Sequence, residues 1–188
     1  MDSVDTIAKM YIKILNRYPD KGSYKQLIPI LEQYGPKVIE QLLKKSSVYK
    51  LQEKDKLFDN FIDKNRHVVE KYQFDLPQTS DICAIICEGR KHKNIQYIVK
   101  EVLHFLKDTW GLNVVCTEQN IEYMKHELKD VQNVIYTLVP QLDSFVDFNN
   151  LMLSKDFWNN LSFEKVLIFQ TDSILCKDGI EKFLKYDY

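Results

Sequence analysis

An apolar run, Val166 to Phe169, leads directly into Gln170, Thr171, Asp172 and Ser173. A carboxylate at the end of a buried strand is suited to holding a divalent cation, because Mg2+ and Mn2+ take oxygen ligands and share them between protein carboxylates and substrate phosphates. Asp172 is therefore the candidate metal ligand, with Mn2+ or Mg2+ as the cation. The same position also suits a turn former or a helix cap. Two further apolar runs end in polar groups: Glu88, Gly89 and Arg90 follow Ile82–Cys87, and Thr117, Glu118 and Asn120 follow Leu112–Cys116. Glu88 and Arg90 fit two readings, contacts to the base or ribose of a nucleotide and a surface pair that caps the next helix.

Other residue types offer less. His67, His92, His104 and His126 share no spacing that makes a metal site, and Cys83, Cys87, Cys116 and Cys176 form no CxxC pair, so the cysteines read as reduced core residues. With 5 glycines in 188 residues there is no Gly-rich phosphate loop, which excludes the dinucleotide fingerprint and the P-loop. Phe157 and Trp158 are able to stack on a base, but a helical position favours core packing behind the Val166–Phe169 strand. The formal net charge of −1 supplies no field for a polyanion, so a nucleic-acid partner is not expected. No stretch approaches the roughly 20 apolar residues of a membrane-spanning helix, and the acidic start, Met1 to Asp5, is unlike a signal peptide. The expected location is cytoplasmic.

The elements that must position these residues follow from periodicity. Val4, Ile7, Ala8, Tyr11, Ile14 and Leu15 form a helical stripe, Leu27, Ile28, Ile30 and Leu31 a second, and Val38, Ile39, Leu42 and Leu43 a third after the stop at Gly35 and Pro36. Residues 1–50 thus read as a small helical module. Residues 51–80 read as a connecting helix, Leu51 to Phe74, and a breaker cluster from Leu76 to Ser80. From Asp81 onward strands alternate with helices: strands at Ile82–Cys87, Leu112–Cys116, Val134–Val139 and Val166–Phe169, helices at Lys93–Trp110 with Gly111 as its stop, Ile121–Leu128 and Phe145–Leu161, and a last turn at Gly179–Leu184. Four such alternations predict an α/β fold, a doubly wound, mostly parallel Rossmann-like sheet with right-handed crossovers, in which ligands bind beyond the carboxyl ends of the strands.

Two resemblances extend this reading. Tyr11, Leu15, Arg17, Asp20 and Gly22, with the Gly35 turn and the closing Ser47, Val48 and Tyr49, resemble a helical module often appended to bacterial glycosyltransferases; Arg17 and Asp20 also suit a pair that fixes the interhelical turn. Phe157, Trp158 and Leu161, then Leu167 to Ser173, then Phe183, Leu184, Tyr186, Asp187 and Tyr188 resemble the signature of a glycosyltransferase-like family of unknown function, with Glu88, Arg90, Asn120, Phe148 and Asn149 agreeing upstream. That resemblance implies that residues 81–188 are the nucleotide-sugar-binding half of a GT-A fold. It implies a sugar transfer from a nucleotide-sugar donor to an acceptor of unknown identity, by direct displacement or front-face attack. The donor pocket is then shaped by Glu88, Arg90, Thr117, Asn149, Gln170, Asp172 and Ser173, with no assigned catalytic base. Two departures stand out. GT-A enzymes generally carry Asp-x-Asp where this chain has Gln170, Thr171 and Asp172, and the family continues past the Tyr-Asp-Tyr into a Gly-Ala-Pro-Trp loop, so the unit is expected to be incomplete at its carboxyl end. The rival expectation is a non-catalytic, truncated transferase acting as a scaffold, with homo-oligomerisation through the helical module; a third is a different α/β nucleotide-binding enzyme.

Overall fold

The structure, a computed structural model, describes residues 2–186; Asp187 and Tyr188 of the family signature lie outside the described residues. The chain forms two compact units, one up to Phe61 and one from Ile62.

The front unit is helical. Asp2 caps α1 (Ser3–Leu15) by accepting from the Val4 N–H, and Asn16 ends it in the left-handed region at φ 48°. Asp20 caps α2 (Lys21–Tyr34) by accepting from the Ser23 N–H at 2.7 Å. The Ser23 hydrogen bonds hold the Asp20 carboxyl below its ordinary value, and the charge of Arg17 adds a smaller effect in the same direction. The Arg17 guanidinium lies 5.8 Å from the Tyr11 ring centroid. Asp20 therefore serves the turn as the cap of α2, while Arg17 lies over Tyr11 of α1. Gly35 takes a φ of 76° between α2 and α3 (Pro36–Lys45), a conformation that L side chains rarely adopt. Ile7, Tyr11, Leu15, Leu27, Ile39 and Leu43 form the core.

Val48 and Tyr49 pack against this core, and with Ser47 they open α4 (Ser47–Val69), a helix that starts earlier and ends earlier than its apolar pattern suggests. Phe74 belongs instead to β1 (Phe74–Asp75), which pairs in parallel with β4 (Val131–Gln132) in a separate two-stranded sheet.

The main sheet is a parallel one built from β2 (Ile82–Cys87), β3 (Gly111–Cys116), β5 (Ile135–Leu138) and β6 (Lys165–Phe169), in the order β5-β3-β2-β6. Register puts Cys83, Ile85, Asn113 and Val115 on one face and Ala84, Ile86, Leu112 and Val114 on the other. All eight are at most 1% exposed, so both faces are covered, as a continuous apolar strand requires. On the first face, Phe148 and Leu151 of α7 (Phe145–Met152) and Phe157 and Trp158 of α8 (Lys155–Asn159) pack against Cys83, Ile85 and Val115. The Phe157 and Trp158 rings meet edge to face, with centroids 5.0 Å apart, and the Trp158 indole donates to the Met152 carbonyl. These aromatics are core, with α7 and α8 separated by a break at Leu153 and Ser154 where the sequence suggests one helix.

A second correction concerns Gly111. It is not a helix stop: α5 (Ile95–Phe105) ends when Leu106 turns extended, and Gly111 opens β3. The polar stretch Lys107–Asp108–Thr109 gives no apolar contact to continue the helix. The other connections are α6 (Ile121–Glu127) and a 3-10 turn at Ile180–Phe183. No helix among the described residues is long and apolar enough to cross a membrane. All four cysteines are free; Cys83 and Cys116 are buried, and Cys176 is exposed, so it is not a core residue.

Three buried polar groups on α5 and β3 mark how tightly this unit is made. Lys100 is 0% exposed, and its ammonium donates to the Glu70 carbonyl and to Asp130 at 3.0 Å. Asn113 is 1% exposed, and neither its amide oxygen nor its amide nitrogen has a partner among the described residues. A buried unpaired amide costs about 1–3 kcal/mol. Burial pushes the Glu101 carboxyl up to about 7, although it accepts a hydrogen bond from the Leu175 N–H that works the other way.

A carboxyl raised on folding gives stability that is present below its unfolded value, 4.5, and is lost as pH rises through about 7. Urea unfolding between pH 5 and pH 8 is expected to show this decline in the native chain and a flatter profile in Glu101→Gln.

Candidate functional site

A chain that visits β2, β3 and β5 in one direction and then returns to place β6 on the other side of β2 has its topological switch between β2 and β6. Open parallel sheets bind ligands at that point, beyond the strands' carboxyl ends, because the connections diverge there and leave a crevice. Such a crevice is present. It has a volume of about 250 Å3 and is lined by Glu88, Gly89 and Arg90 after β2, by Gln170 and Thr171 after β6, and by Leu142, Asp143, Ser144, Phe145 and Phe148 from the segment that follows β5.

Glu88 organises it. The residue is 5% exposed, yet its carboxylate accepts from the Arg90 Nε and Nη2 groups, each at 2.8 Å, and from the Arg90 backbone N–H at 2.9 Å. Burial pushes the Glu88 carboxyl up, but the Arg90 hydrogen bonds and charge outweigh it and leave the group below its ordinary value. The Thr171 hydroxyl donates to the same carboxylate at 3.4 Å, so one acid links the tips of β2 and β6. The pair is not a helix cap, since its bonds are to itself and to Thr171. The Arg90 side chain is 69% exposed, with its guanidinium held in a planar, two-point grip.

Asn120 fixes the backbone beneath. It is 2% exposed; its Nδ2 donates to the carbonyls of Glu88 at 2.8 Å and Arg90 at 3.2 Å, while its Oδ1 accepts from the Thr117 N–H and hydroxyl. Thr117 is thereby spent on structure. It lines a different pocket, at the ends of β3 and β5, with Glu118, Gln119 and Pro140. Gly89 is needed for close approach: a Cβ there would lie 2.3 Å from the Leu142 carbonyl oxygen.

The remaining sequence candidates scatter. Asp172 sits exposed at the tip of a turn closed by the Ser173 N–H donating to the Gln170 carbonyl at 3.0 Å, and the Ser173 hydroxyl accepts from the Gln170 N–H. Neither Asp172 nor Ser173 lines the crevice. Asn149 lies in α7, half-buried and off the crevice wall. Sequence reasoning missed Leu142, Asp143 and Phe145. The signal present was Ser144 and Asp147, a capping box that makes this segment turn sharply into α7.

No group of three or more His, Cys, Asp or Glu residues suited to a metal ion occurs among the described residues. The two acids on the crevice wall are Glu88, committed to Arg90, and Asp143. These donors do not form a resident metal set.

Residues 133–188 match a family described as a protein of unknown function (DUF5672). The match is a similarity over less than a third of the chain, and it contains β5, α7, α8, β6 and the Gln170–Ser173 turn. No curated protein and no solved structure matches the chain.

Gly89→Ala is expected to lose about 1–3 kcal/mol in urea unfolding, as Leu142 is forced away. Asn120→Ala is expected to lose a similar amount, about 1–3 kcal/mol, by leaving buried backbone carbonyls unpaired.

Proposed function

We propose that residues 81–188 form the donor-binding half of a GT-A-like glycosyltransferase, which holds a nucleotide sugar in the β2–β6 crevice for transfer to an acceptor. The observation that carries this reading is the crevice itself, at the switch point of a parallel sheet, with a guanidinium fixed by a buried carboxylate on its rim. A pre-oriented Arg is a natural partner for a diphosphate, because its fork offers several donors in one plane and loses little freedom on binding. Phe145 and Phe148 in the same wall offer apolar surface to a base. The residues that resemble the glycosyltransferase-like signature, Phe157, Trp158 and Leu167 to Ser173, fall within the span matched by the family comparison. A cytoplasmic setting, where nucleotide sugars are made, fits the same reading.

The chain's contribution to transfer is position and charge: Arg90 and Gln170 hold the diphosphate, and Glu88 keeps Arg90 in place. Mn2+ or Mg2+ would supply charge neutralisation on the leaving diphosphate, and Asp172 is the residue nearest in sequence to that role. No step is assigned to it, because Asp172 stands off the crevice wall. That placement also favours a second reading, a non-catalytic relative that binds the nucleotide or nothing and serves as a scaffold.

Thermal unfolding with UDP- and GDP-sugars, with and without Mn2+, separates the two. At 100 times its dissociation constant one donor is expected to stabilise the chain by about 2.7 kcal/mol. Arg90→Ala should reduce that response strongly. No response to any nucleotide sugar would contradict the donor site.

A further inference from the structure

At the opposite, amino end of the sheet lies a second pocket, of about 320 Å3, on the face that α7 and α8 cover. Its walls include Ile135 and Thr137 of β5, Ser162 and Phe163 before β6, and Asp81 before β2. Asn113 of β3 lines it as well. This is the asparagine that is 1% exposed with both amide atoms unpartnered, in a row of the sheet whose neighbours in register are Ile85 and Ile135. An apolar residue would fill that row without an unpaired donor and acceptor. We propose that the pocket over Asn113 is a binding site for a small, uncharged, planar molecule that presents a hydrogen-bond donor beside an acceptor, the edge shared by nucleobases and aromatic primary amides.

The chemistry follows from the carboxamide. Asparagine offers one acceptor and an adjacent donor in a plane, and pairs two-pronged with a matching edge, as it does with adenine. Neither amide atom is open to water here, and because the terminal torsion of asparagine is broad, a ligand entering the pocket meets an amide that can be re-aimed toward it. The charge of the ligand is set by the walls. Among the described residues that line it, Asp81 is the one charged side chain and none is a cation that could receive a phosphate or carboxylate. The site thus takes a neutral base or amide rather than a nucleotide, and is independent of the donor reading for the carboxyl-end crevice.

The test is thermal unfolding of the full chain, without metal, against adenine, uracil and nicotinamide, in the native protein and in Asn113→Leu. At least one probe is expected to raise the native midpoint in a concentration-dependent way, by about 2 °C or more at saturation. In Asn113→Leu the response should be lost while the ligand-free midpoint rises, because the unpaired amide is gone. The Arg90→Ala chain should respond as the native protein does. Response to adenine or uracil alone identifies a base site, and response to nicotinamide alone identifies an amide site. No response to any probe overturns the proposal, as does an Asn113→Leu chain that is less stable or fails to fold, since the amide would then serve the native core.

Discussion

The carboxyl end of a parallel sheet is a row of strand ends with backbone carbonyls still to satisfy, and in this chain the Asn120 side chain does much of that work. It donates to the carbonyls of Glu88 and Arg90 and accepts from Thr117, so the ends of β2 and β3 are held as one piece. That fixed backbone allows Gly89 to lie against Leu142 and directs Glu88 into a buried position from which it grips Arg90 and Thr171. Remove the asparagine, and the buried polar groups lose partners together. The crevice between β2 and β6 is a consequence of this network rather than of any single binding residue.

Two buried asparagines on neighbouring parts of the same strand and its turn meet opposite fates. Asn120 is fully used, by backbone carbonyls on one side and a threonine on the other. Asn113 is buried as deeply, and its side-chain amide has no partner among the described residues. A core tolerates an unpaired amide at a real cost in stability, so its presence separates the amino end of the sheet from the hydrogen-bonded carboxyl end. The two ends are therefore distinct in chemistry: a charged, pre-oriented rim at one, a neutral polar floor at the other.

Much of the α/β unit was legible in the sequence because a strand buried on both faces must be continuously apolar, and Ile82–Cys87 and Leu112–Cys116 are. The short β1 and β4 left no trace, since two residues carry no period. Gly111 misled because a glycine after an apolar helical stripe is the ordinary sign of a helix end, whereas here the helix had already ended at Phe105. Among the residues that line the crevice, Glu88, Arg90 and Gln170 were legible from their place after strands. Asp172 has a suitable side chain, but a residue at the outer tip of a four-residue turn is displaced from the strand's axis, and position after a strand does not reveal that. Leu142, Asp143 and Phe145 were hidden because they reach the crevice from the loop between β5 and the start of α7, where the Ser144–Asp147 capping box marks a turn but not its direction.

The claim on which the account rests is that the β2–β6 crevice is where a nucleotide diphosphate binds. Backbone amide NMR of the full chain titrated with UDP and GDP tests it most directly. The account predicts that the amides of Glu88, Gly89, Arg90, Gln170 and Thr171 shift together and saturably, while those of Asn113 and Ser162 stay in place. Shifts confined to other regions, or none at millimolar nucleotide, would contradict it.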